Sequence, residues 1–142
     1  VGGGAEAGIG HIAADSTAVL RSLEGVGGAL TREWLPGVHW LRSVAHRRLG
    51  RLRPAYDELD AAAVYSGANP DMDLQLRMAR LRTDWLAGAV DTVLAGLPAI
   101  HSHYVATGDR FLATEAALEI AARAAFLGDL DTATARAVSS AR

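Results

Sequence analysis

The chain has no cysteine and no lysine, and only 6% of its 142 residues are aromatic. Without cysteine, disulfides and thiolate chemistry are excluded. All 14 cationic side chains are arginine, a bias we attribute to a GC-rich coding sequence rather than to fourteen separate needs for a guanidinium. No single arginine is therefore evidence of a site. The formal net charge is only -2, which gives no global attraction to nucleic acid or to an anionic membrane, although local patches remain open. Long apolar runs are missing too. The longest uncharged stretch, Thr92–Gly108, is interrupted by Gly96, Pro98, His101 and His103, so it does not read as a membrane span. The N-terminus lacks a charged-then-apolar signal pattern, and a cytoplasmic protein with no membrane partner is expected.

What is present is small and apolar. Half of the residues are hydrophobic, with alanine and glycine prominent, and a chain of this length buries roughly two-thirds of its unfolded surface. Residues 1–14 are expected to be a flexible glycine-rich lead-in, followed by one helical domain over 15–142. Within the lead-in, Gly8-Ile9-Gly10-His11-Ile12-Ala13 fits G-x-G-x-x-A, the phosphate-binding turn of dinucleotide enzymes. That turn must follow a buried strand. Here only Val1 and glycines precede it, and no later stretch has the Val/Ile-rich runs of a parallel sheet. A nucleotide-binding oxidoreductase fragment is the alternative this motif keeps alive.

Helical signals fill the rest. Asp15 or Ser16 can cap a short helix through Leu23, closed by Gly25. A first hairpin is expected over roughly Arg32–Ser66. Val38, Leu41, Val44 or Ala45, and Leu49 form the core face of its first helix, which starts regularly only at Pro36. Gly50 ends that helix, and Pro54 opens the second, with Ala55, Leu59 and Ala62 on one side. Asn69 or Asp71 caps the next helix, where Leu74, Met78, Leu81 and Trp85 repeat at four, three and four. After Gly88 comes a partner carrying Val90, Val93, Leu94 and Leu97, which Pro98 ends or kinks. Asp109 then caps the first helix of a third hairpin. In its second helix, Ala133, Ala137 and Ala141 give a small-residue face.

Gly50, Gly88 and Gly128 recur about every 40 residues, the range of two-helix repeats. Leu49-Gly50-Arg51-Leu52 with Ala55 and Leu59 aligns with Leu127-Gly128-Asp129-Leu130 with Ala133 and Ala137. These residues resemble the tetratricopeptide motif, in which a Gly-Asp or similar turn precedes a small residue packed on the preceding helix. The resemblance spans about Arg32–Arg142; Val93 stands where the second unit would have its small residue. Divergent alanine-rich repeats of this kind are found in actinobacterial LuxR-type and antibiotic-regulator-type transcription activators and beside CHAT domains. The resemblance implies an all-α, right-handed stack of about three antiparallel helical hairpins. A chain stopping inside its last hairpin is expected to be part of a longer array, because one hairpin cannot cover its own apolar face.

In such arrays the first helices line the inner groove. The resemblance therefore implies partner contacts at His39, Arg42 and His46, then Gln75 and Arg80, then Glu115 and Glu119. The expected role is non-catalytic: binding a protein or peptide, or neighbouring domains of the same chain, with no cofactor and with self-association left open. Sharper chemistries find less support. Helical zinc pairs prefer i,i+4, whereas His39 and His46 are two turns apart and His101-Ser102-His103 has no matching third ligand. His46-Arg47-Arg48-Leu49-Gly50-Arg51-Leu52-Arg53 is basic enough to meet phosphate, which keeps a DNA-contacting regulator as a further alternative. Asp57, Glu58 and Asp60 follow at once, however, and cations at a helix C-terminus are favoured by its dipole. No Ser, His or Asp occupies a recognisable activating context. Trp34, Trp40, Trp85, Tyr56 and Tyr65 read as packing residues.

Overall fold

A computed structural model describes residues 15–24, 33–67, 69–128 and 130–141, with backbone only for 130–133. The glycine-rich lead-in, its G-x-G-x-x-A stretch and Gly25 lie outside the described residues. Among the described residues the protein is all-α: seven helices pack against neighbours and there is no strand. They fall into two compact units, Val1–Ala87 and Gly88–Arg142.

The first unit holds α1 (residues 15–23), α2 (Leu35–Arg48), α3 (Leu52–Tyr65) and α4 (Pro70–Leu86). Local chemistry accounts for its boundaries. Pro36 sits in the first turn of α2, where amides lack intrahelical partners. At the other end Gly50 adopts φ +73°, and the amides of Gly50 and Arg51 return to Arg47 and His46, the double closure that a left-handed residue permits. Asn69 caps α4, its side chain accepting from the Asp71 and Met72 amides. Helix α2 packs on α3, and both pack on α4.

The core of this unit joins Leu59 and Ala62 of α3 to Leu76 and Ala79 of α4, with Trp40 and Met72 against them. The face that α2 buries differs from the expected one. Leu41 is 38% exposed, whereas Ser43 is buried and its hydroxyl donates to the Trp40 carbonyl. A small residue satisfied by its own helix can occupy a close helix contact without leaving a polar atom unpaired. Ser43 lies nearly half a turn from Val38, Leu41 and Leu49, and Ala45 on their side is buried as well, so α2 is covered on two faces. Trp34, expected to pack, is 65% exposed because it precedes the first turn of α2, outside the packed face.

In the second unit, α5 (Val90–Thr107), α6 (Arg110–Phe126) and α7 (Leu130–Ser140) pack in sequence, α6 against both others. Helix α5 runs unbroken past Pro98; the proline costs it one amide but does not end it. Its buried residues Val93, Leu97, Ile100 and Tyr104 repeat at four, three and four. Gly108, with φ +78°, closes it, and Asp109 caps α6 by accepting from the Leu112 amide. Helix α6 buries alanines almost alone: Ala113, Ala116, Ala117, Ala121 and Ala124 around Ile120. Ala137 of α7 and Ala141 just past its end are exposed, so the small-residue face expected there is uncovered among the described side chains. The helices assigned to a second hairpin, α4 and α5, belong to different units.

Candidate interaction surface

The polar side chains of the first unit are organised by three carboxylates and one tyrosine. Glu58, half-buried on α3, accepts from His39 Nδ1 at 2.6 Å. Its other oxygen lies 3.1 Å from Arg42 Nε, close enough for an ion pair but not aligned as a hydrogen bond. The i,i+3 spacing of His39 and Arg42 brings both to one carboxylate. The His39 ring also stacks on Tyr65, 5.8 Å between centroids and 5° from parallel, an offset arrangement favoured by ring quadrupoles. Two of the expected groove residues thus face α3 and bind it to α2.

His46 is half-buried on the same helix, and its Nδ1 has no hydrogen-bond partner. Burial holds its pKa below the ordinary value of 6.5, against the attraction of Glu58 and aided by Arg51 and Arg42.

A second arrangement joins α3 to α4. Tyr56 donates to Asp84, Arg80 pairs with Asp60, and the Arg80 guanidinium lies 5.6 Å from the centre of the Tyr56 ring. Tyr56 and Asp60 are one turn apart on α3, as are Arg80 and Asp84 on α4, so each helix presents an i,i+4 pair to the other. Burial, then the hydrogen bond to Asp84, push the Tyr56 hydroxyl up to about 12. The phenol therefore stays a donor throughout the neutral range.

Arg80 is exposed at its tip despite these contacts, and Gln75 is fully on the surface. A shallow groove of about 310 Å³ is floored by Leu59, Ala63 and Leu76 and edged by Asp73, Arg77 and Arg80. In the second unit, Glu115 is exposed and Glu119 half-buried on α6. Glu58 and Asp60 entered the sequence reading only as acidic residues that follow the basic turn, and Asp84 was not singled out. The signal for Asp60 and Asp84 was the i,i+4 matching across α3 and α4, visible only once those helices are known to be neighbours.

The chain matches no family model, and no curated protein or solved structure is significantly similar to it. The likeness to tetratricopeptide repeats rests on the chain's own residues. Among the described residues no group of three or more His, Asp or Glu side chains could hold a metal ion. None of the described helices is long and apolar enough to cross a membrane.

Proposed function

We propose that this chain is a non-catalytic interaction segment, a stack of tetratricopeptide-like helical hairpins serving a larger bacterial signalling or transcription-regulatory protein. The observation that carries the reading is the two-sided burial of α4. At 100° per residue, Leu74, Met78 and Leu81 fall within about 60° of one another, and Leu76, Ala79 and Thr83 fall within about 60° on the opposite side. All six are buried, while Gln75, Arg77 and Arg80 between them are exposed. A helix at the edge of a bundle needs one apolar face; a helix inside a series of hairpins needs two. Left-handed glycines follow each helix from α2 to α6, at Gly50, Gly67, Gly88, Gly108 and Gly128, and supply the stops that successive hairpins require.

The partner in this reading is a protein or peptide, or another domain of the same polypeptide. Gln75, Arg80 and Glu115 are the exposed members of the contact set. His39 and Arg42 hold α2 to α3 through Glu58, His46 is half-buried on α2, and Glu119 is half-buried on the helix of Glu115.

The test is affinity capture by the full chain from a lysate of its native cells, set against a Gln75→Ala/Glu115→Ala variant of unchanged melting temperature. Loss of a specific protein from the captured set supports the reading, and an unchanged set removes these residues from the contact. Saturable binding of a nicotinamide or flavin dinucleotide, or salt-dependent binding of duplex DNA, would replace it with an enzymatic or DNA-contacting role.

A further inference from the structure

The groove that α3 and α4 share sets an unanswered charge beside an apolar floor. Leu59 and Ala63 of α3 and Leu76 of α4 make the floor, and Asp73, Arg77 and Arg80, all on α4, stand at its edge. Two of these three charges are met within the fold. Arg80 pairs with Asp60. Asp73 lies in the first turn of α4, where the helix dipole favours a carboxylate, and accepts from the Ser66 hydroxyl at 3.3 Å. Arg77 follows Asp73 by one turn, yet the two do not pair. It is exposed and makes no hydrogen bond, ion pair or ring contact among the described residues. Water solvates an exposed guanidinium, so the charge by itself asks for nothing; at the rim of an apolar groove of about 310 Å³ it defines a chemistry.

We infer that this groove receives an aliphatic side chain of a partner protein together with an Asp or Glu beside it in sequence, the aliphatic group on Leu59, Ala63 and Leu76 and the carboxylate on Arg77. Each part answers one feature of the groove. The floor gains by covering an aliphatic group, and a guanidinium fork matches a carboxylate. Asp73 is an acceptor for a backbone N–H, which a polypeptide has and a simple aliphatic acid lacks. The volume stands at the low end of the about 300–1,000 Å³ that ligand sites occupy, which takes a pair of neighbouring side chains. The site is also preformed. Leu59 and Leu76 belong to the core that joins α3 to α4, and Arg80 is held by Asp60 and lies over the Tyr56 ring, so little ordering is left to binding. This inference rests on the interaction-segment reading and names the chemistry of its partner at one place.

A nuclear magnetic resonance titration of the full chain with the acetylated, amidated peptide Leu-Glu-Leu tests it, beside Leu-Gln-Leu, Ala-Glu-Ala and hexanoate. Saturable shifts are expected at the amides of Ala63, Leu76 and Arg77. Leu-Gln-Leu should bind at least about threefold more weakly, and Ala-Glu-Ala about tenfold. Arg77→Gln should bind Leu-Glu-Leu no better than Leu-Gln-Leu, because the carboxylate has lost its partner. Ala63→Glu, which places a charge on the exposed part of the floor, should abolish binding of both. Arg77 and Ala63 are exposed, so both variants should keep the wild-type melting temperature, which circular dichroism checks. No shift in the groove at millimolar peptide, equal affinity for Leu-Glu-Leu and Leu-Gln-Leu, or a preference that survives Arg77→Gln overturns the inference. Hexanoate bound as tightly as Leu-Glu-Leu also overturns it, by making the groove a site for small aliphatic acids. The interaction-segment reading stands or falls separately, through capture that depends on Gln75 and Glu115, neither of which lines this groove.

Discussion

Glu58 is the residue on which the polar side of the α2–α3 contact depends, since it answers both His39 and Arg42. Glu58→Ala is expected to cost about 2 kcal/mol, because it strands a half-buried cation and a half-buried imidazole. Arg42→Ala added to that variant should cost little more; urea unfolding of the single and double variants measures both. Glycine positions give predictions of opposite sign. At Gly50 an added methyl meets open space, but φ is +73°, so Gly50→Ala should destabilise by about 1 kcal/mol from backbone strain alone. Gly37 also faces open space, without a positive φ and inside α2, and Gly37→Ala should stabilise by about 0.5–1 kcal/mol. The pH dependence turns on His46, whose pKa is lowered on folding. A lowered folded pKa means the unfolded chain takes the proton first. Its contribution is thus complete above the ordinary 6.5 and is lost as pH falls below it. Relative to wild type, His46→Gln should lose less stability between about pH 7.5 and about pH 5.5; urea midpoints at the two pH values decide. Of these residues Gly50 was legible in sequence, because a helix stop is written in two or three adjacent letters. The role of Glu58 was not, because its partners lie 16 and 19 residues away on another helix.

At the scale of elements, the hydrophobic core of the first unit lies between α3 and α4, and Leu59, 1% exposed, belongs to it. Leu59→Ala should cost about 3 kcal/mol, since α3 is held by neighbours on two sides and cannot collapse into the space. Hydrogen exchange should then rise first along α3 and α4. In the same pair one stretch carries two periodicities. Leu74-Gln75-Leu76-Arg77-Met78 alternates like a strand because α4 is buried on opposite faces; a two-sided helix and a half-buried strand share that local pattern. Helix length and the Asn69 cap resolve it. Helix α2 shows the converse: its apolar stripe is real, but Leu41 is largely exposed and Ser43 lies inside. Periodicity reports which side chains are oily, and not where the neighbouring helix comes to rest.

At the scale of the molecule, each unit has a core of its own, around Leu59 in the first and around Leu97 and Ile100 in the second. In an array of hairpins stability is held between nearest neighbours. Leu97→Ala, at a residue 1% exposed, should therefore strip exchange protection from α5 and α6 by at least about tenfold more than from α2 and α3. Equal loss throughout would mean a single cooperative body instead of a series. The sequence by itself determined that the described chain is helical and where most helices start and stop. Caps, prolines and left-handed glycines act within one turn of chain and need no neighbour. Only the tertiary structure decided which faces are covered, which carboxylate answers which cation, and that α6 is left with phenylalanines toward solvent. Burial and ion pairing are properties of two segments at once, and no local pattern in either segment names the other.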